Sequence, residues 1–177
     1  ATEAGILVMP GVGFDVVPSD CLALHLADRL PDAQELVLAF RSFGGSVSHG
    51  TATTMVDGLG LPDLVRRDGK LTPVRMGSRR RMVDFGRGPA STLGIPWGDV
   101  VTAWHSTKIP NIEVFMGVPP ASVRAARVGG WFGPLLRTKF VRRMAQRKVE
   151  AAPAGPSDER RERGFTMLWV QARRGDT

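Results

Sequence analysis

Val16 is the residue that most limits what this chain can be. It stands in ILVMPGVGFDVVPSD, Ile6 to Asp20, where an apolar run enters a Gly-x-Gly turn ahead of a helix. Strand, glycine turn and helix N-terminus are the parts of a pyrophosphate cradle. The full fingerprint, GxGxxG, ends on a glycine that lets the helix pack closely on the strand. Here Gly11 and Gly13 are followed by β-branched Val16 at that place. Pro18 suits a first helical turn, and Ser19 or Asp20 suits a cap. Residues 11–19 are therefore a loop of their own, too long for a tight phosphate turn, and the fingerprint fails.

The 177 residues, 42% of them apolar, suffice for one domain with a core. No window approaches the roughly 18 apolar residues of a membrane span, and the opening lacks the basic-then-apolar pattern of a secretory signal. The single cysteine, Cys21, excludes an internal disulfide and fits a reducing cytoplasm. Set among Leu22, Leu24 and Leu26, it reads as a small core residue. An opening Ala before an apolar strand, and a closing FTMLWVQARRGDT that runs from strand into a Gly-Asp turn, read as cuts through a larger protein.

Charge is unevenly spread. Residues 1–65 hold two basic and eight acidic side chains, net −6, whereas residues 66–177 hold 22 basic against nine acidic, net +13. Such asymmetry implies a basic face for anions: a phosphate-bearing cofactor, a membrane surface or nucleic acid.

Periodicity predicts the elements. Ile6–Met9 reads as a buried strand, Ser19–Leu30 as a helix with Leu22, Leu26 and Leu30 on one stripe, and Glu35–Phe43 as a strand. FGGSVSHGT leads into a helix ending near Gly60, and RRDGK carries the Asp-Gly signature of a hairpin. Met82–Phe85 reads as a short strand and GRGPAS as a loop. VVTAWHS and IEVFMGV are β-rich runs flanking TKIPN, the pattern of a strand pair. Ala121–Val128 and Pro134–Val149 read as helices, and AAPAGPSDERRERG as a surface loop or short exposed helix. The sum is α+β, with an antiparallel or mixed sheet covered by helices.

Several chemistries are excluded. With no tyrosine, a Tyr–Lys proton-transfer pair cannot be built, and neither GxSxG nor GxxxxGK[ST] occurs. His25, His49 and His105 lie far apart without ligand spacing, so no metal is expected.

Three places remain for chemistry. In the first, Asp15 lies in an apolar loop before Ser19 and Asp20. Either these residues merely tie the loop and cap the helix, or the helix start attracts an anionic or carbonyl group. In the second, FGGSVSHGTATTM, Ser46, Ser48, Thr51 and Thr53 crowd a helix start beside His49, whose imidazole could exchange a proton. Ordinary hydroxyl caps explain the same residues. In the third, His105 stands at the expected exit of a strand, packed or catalytic. Beyond these, PLLRTKFVRRMAQRK puts Leu136, Phe140 and Met144 on one stripe and its cations elsewhere. That is a solvated face over a core-facing stripe, or with Trp131 and Phe132 a surface that rests on an anionic membrane. No nucleic-acid motif accompanies the charge.

Taken in order, PGVGFDVVPSDCLALHLA, FGGSVSHGTATTMVDGL, RRMVDFGRGP, IPWGDVVTAWHSTKIPNIEVFM and GPSDERRERGFTMLWVQA resemble the saccharopine dehydrogenase-like family of NAD(P)-binding oxidoreductases. That family includes trans-acting enoyl reductases of lipid synthesis. The resemblance implies that residues 1–32 are a strand–loop–helix remnant of a truncated Rossmann domain and its hinge. Residues 33–177 would be a substrate-side, dimerising α+β domain. It implies NAD or NADP bound near Gly13, Phe14, Pro18 and Asp20, with Asp15, Ser19 and His49 as catalytic candidates. Ser46, Ser48, Thr51 and His105 would face a lipid-like or amino-acid-like small molecule, and the protein would form a homodimer. The implied chemistry is hydride transfer, for which this portion alone should be inactive. The alternative is a non-enzymatic basic module that meets an anionic membrane or partner protein through Trp131–Lys148, leaving the protein cytoplasmic and membrane-peripheral.

Overall fold

A computed structural model of the chain describes residues 3–8, 12–14, 16–44, 48–152, 155 and 157–175, with only the backbone at 160 and 161. Strand β1 (Glu35–Phe43) organises it. Five successive residues, Leu36 to Phe40, are buried, so both faces of β1 are covered. An uninterrupted apolar run of this kind belongs in the middle of a sheet. On one side β1 pairs in parallel with β6 (Asn111–Gly117), from Glu35↔Asn111 to Phe40↔Met116. On the other it pairs antiparallel with β7 (Phe165–Arg173), from Glu35↔Arg173 to Phe43↔Phe165.

The far edge of β6 is shared. Its start meets β2 (Asp63–Arg67) at Arg66↔Ile112, and its end meets β5 (Pro89–Gly94) from Gly94↔Phe115 to Thr92↔Gly117. Each of these strands brings a hairpin partner, β3 (Lys70–Val74) and β4 (Arg80–Asp84) respectively. The result is a seven-stranded mixed sheet with helices, an α+β fold.

Alternation along β1 divides the core in two. Leu36 and Leu38 join Ile112 and Val114 beneath Ala23 of α1 (Val17–Arg29) and Val100 and Ala103 of α3 (Asp99–Thr107). Val37 and Ala39 face the opposite way, onto Phe115, Val83, Phe85 and Ala90, so the β4–β5 hairpin folds over that face. Burying each Leu, Ile or Phe of this kind contributes about 1.5–3 kcal/mol.

The Asp-Gly hairpin forms as its sequence predicts: Asp68 and Gly69 both have positive φ, 48° and 73°. A Cβ at Gly69 would lie 3.2 Å from the Trp104 ring. The turn is locked from below by Arg66, which donates to Val100 O at 2.8 Å and to Gly69 O at 2.6 Å, its guanidinium over Trp104.

Other expectations are corrected. Ile6, Leu7 and Val8 are exposed and outside any strand, since no strand among the described residues pairs with them; Met9 lies outside the described residues. VVTAWHS is helical, not extended: Val100 and Ala103 recur at i, i+3 towards the sheet, and this burial outweighs the β-branched bias. Lys108 ends α3 in the left-handed conformation, so TKIPN joins a helix to a strand. In GRGPAS only the glycines turn, their amides at Gly86 and Gly88 held by Asp84 Oδ1, and Pro89 already opens β5. Cys21 is exposed, because Ser19 and Ala23 take the inward positions of α1 and residue 21 points away.

The remaining helices are α2 (His49–Asp57), α4 (Pro120–Gly129), α5 (Gly133–Leu136), α6 (Lys139–Glu150) and the short α7 (Asp158–Arg163). Helices α2 and α5 contact α6, α4 meets α5 at Gly129 and Leu136, and these four form a layer of their own, while α7 ends beside Gly44 and leads into β7. The single helix expected over Pro134–Val149 is broken at Arg137 and Thr138, where Thr138 is extended. The layer is seated by close backbone approach: a Cβ at Gly77 would fall 2.4 Å from Ala126 O, and one at Gly130 2.1 Å from Met76 O. Arg142 of α6 donates to Asp57 O at the end of α2.

Candidate functional site

The loop before α1 closes onto the C-terminal half of β1. Phe14, half exposed, meets Phe40 edge-on with ring centroids 6.0 Å apart, and Phe40 packs against Trp97 at 4.9 Å. Three rings from three separate segments thus form one apolar row, with Phe14 as its open end. Gly13 O accepts from Val17 N at 3.1 Å, and Pro18 sits in the first turn of the helix.

That helix starts two residues earlier than its composition suggests, with Val16 at the cap position and no side-chain cap. Ser19 is therefore inside the helix, buried, its hydroxyl donating to Val16 O at 3.0 Å. Asp20 accepts from Ser106 Oγ at 2.5 Å, which ties α1 to α3, while its Oδ1 is buried without a hydrogen-bond donor among the described residues. Asp15 lies outside the described residues.

At α2 the hydroxyl cluster serves the helix. Ser48 is the N-cap, its Oγ accepting from Thr51 N at 3.2 Å and contacting Thr51 Oγ1 at 3.0 Å. His49 is exposed in the first turn, and its carbonyl accepts from Thr53 Oγ1. Ser46 lies outside the described residues. His105 is on the last turn of α3, exposed, and not at a strand exit. The structure therefore joins Phe14 to β1 and Asp20 to α3, and keeps Ser48 and Thr51 as a local cap.

A polar site that periodicity did not single out lies over β1, β6 and the hairpins. A cleft of about 260 Å³ is lined by Arg67, Arg80, Arg81, Glu35, Asn111 and Glu113, with Arg67 paired to Glu113. Beside it, Asp63 and Arg79 form a buried ion pair at 3.6 Å. Burial pushes the Asp63 carboxyl up to about 6, outweighing the attraction of Arg79 and the Gly77 amide. Burial likewise lowers Arg79, offset in part by Glu113 and Asp63. The Arg79 guanidinium lies over Phe115, 5.5 Å from its centroid, and a Cβ at Gly94 would fall 2.6 Å from its Cζ. The run SRRR and the positive second half are the sequence signals of this site, but neither says which arginine is buried.

No family model matches the chain, and no curated protein matches its sequence. Among the described residues no group of His, Cys, Asp and Glu is arranged to hold a metal ion.

Proposed function

We propose that the chain is the substrate-side portion of an NAD(P)-dependent oxidoreductase of the saccharopine dehydrogenase-like kind, which delivers hydride to a lipid-like small molecule. The observation that supports this reading is the Phe14–Phe40–Trp97 row. It places the loop before α1 against the C-terminal half of a strand in a parallel pair, the end at which open α/β sheets receive ligands.

The residues fit one end of the dinucleotide. Phe14 offers a half-exposed ring face to a nicotinamide, whereas buried Val16 fills the place of the third fingerprint glycine and leaves no pyrophosphate cradle. The phosphates would be held by another domain. When bound, the cofactor supplies the hydride. This chain's residues orient: Ser19 fixes the loop through Val16 O, Asp20 anchors α1 to α3 through Ser106, and the aromatic row excludes water from an apolar substrate. His49 and His105 are both exposed.

The test is to isolate the native protein with an antibody to this chain, size it, and titrate it with NADPH. A nucleotide-binding domain adds on the order of 120–150 residues, so a band near twice 19.1 kDa that binds NADPH is expected. Phe14→Ala in that protein should weaken nicotinamide binding. A native band of 19.1 kDa without NADPH binding in the lysate or with any co-purifying subunit would overturn the reading.

A further inference from the structure

The layer that does not serve the sheet has a surface of its own. Residues 114–149 carry eight Lys or Arg and no Asp or Glu. Neither α4 nor α6 buries any residue, and large apolar side chains point outwards: Trp131 is 69% exposed, Leu135 58% and Phe140 76%. Helix α6 shows how this arises. Val141, Ala145 and Val149 take the partly covered stripe, while Phe140 and Met144 share the outer face with Arg143 and Arg147. Of the stripe that composition assigns to a core, Leu136 is half-buried, whereas Phe140 and Met144 face out beside guanidiniums.

Trp131 borders a pocket. A cavity of about 240 Å³ is lined by Arg75, Arg80 and Arg127 with Ser78, Gly77 and Val123, three guanidiniums and no carboxylate. Arg75 belongs to both features, since its guanidinium lies 4.3 Å from the Trp131 ring centroid. The close approach of Gly77 to Ala126 is what brings Arg127 to the other two arginines.

We propose that this face docks on an anionic phospholipid bilayer, with a lipid phosphate in the Arg75–Arg80–Arg127 pocket and Trp131 and Phe140 in the boundary between headgroups and acyl chains. Charge complementarity selects the occupant. A second copy would set guanidinium against guanidinium, with no acid in the stretch to relieve it. An acidic peptide would neutralise the arginines and leave the rings wet. A bilayer interface takes both, because its surface is negative and its boundary accepts rings to a depth of about 5–10 Å. Contact is peripheral: among the described residues no helix is long and apolar enough to cross a membrane. The inference does not rest on the oxidoreductase reading and needs no cofactor.

Vesicle flotation of the full chain at about physiological ionic strength tests it, with phosphatidylcholine vesicles against the same vesicles containing phosphatidylglycerol. The protein should float with the anionic vesicles and stay behind with the neutral ones. Trp131→Ser and Phe140→Ser should each weaken flotation about tenfold. Arg127→Gln should weaken it by more than Lys148→Gln, which removes one surface charge at about fivefold. Circular dichroism confirms that the variants fold, and the exposure of all four sites favours it. Flotation that ignores Trp131→Ser and Phe140→Ser would overturn the proposal, as would failure to float. Binding of glycerol phosphate without flotation on the anionic vesicles would assign the pocket to a soluble phosphate, and self-association in sedimentation equilibrium would assign the face to a second copy; either result overturns bilayer docking.

Discussion

In the sheet, the apolar side chains of β1 and β6 are turned towards partners, whereas in the α4–α6 layer the largest apolar side chains are turned to the surface. Both regions are rich in apolar residues by sequence. The difference lies in what surrounds them: β1 has strands on both edges and packing on both faces, while α6 has one covered side. Apolar character is thus used for folding in one region and left available for binding in the other.

Truncating one side chain in each region separates the two roles. Ile112→Ala, at a fully buried position, should cost about 4 kcal/mol in urea unfolding. Its counterpart Phe140→Ser should move stability by no more than about 0.5 kcal/mol. A large loss at Phe140 would mean that the outer layer is core after all.

The next effect comes from the buried pair of Asp63 and Arg79. Asp63 holds its proton more tightly when folded, with a pKa of about 6 against 3.8. Its contribution to stability is therefore fully present below pH 3.8 and lost as pH rises through 6. The loss is on the order of 3 kcal/mol. Denaturation midpoints followed from pH 4 to 7 should show this fall in the wild type, and Asp63→Asn should flatten it. An unchanged slope in the variant would show that Asp63 is not the titrating group.

The smallest effect separates a cap from a site. Ser48→Ala should cost about 1 kcal/mol through the lost bond to Thr51 N. If the loss of stability is negligible while the proposed hydride transfer collapses, Ser48 faces substrate and the capping account fails.

Much of the sheet is legible from residue order. The run LVLAF marks the strand β1, Asp68-Gly69 marks the β2–β3 hairpin, and FTMLWVQAR marks the strand β7. Helix α3 is not legible from propensity, because Val100, Val101 and Thr102 favour strands and only the sheet beneath Val100 and Ala103 decides otherwise. For α6 the period reveals two faces but not which one is inward, since that depends on α2, far earlier in the chain. The same limit applies to the arginines. The positive half of the chain announces a basic surface, but the meeting of Arg75 and Arg80 with Arg127 depends on a seam between residues 77 and 126. The Phe14 contact is hidden for the same reason: nothing local in GVGFDVV points to Phe40.

The pairing of β1 also sets a timetable for synthesis. Its register partners begin at residue 111 on one edge and end at residue 173 on the other. A ribosome therefore releases β1 well before β6, and completes β7 last, after the cationic helices have emerged. Until then β1 keeps at least one unpaired edge, on which aggregation and chaperone capture would compete with folding.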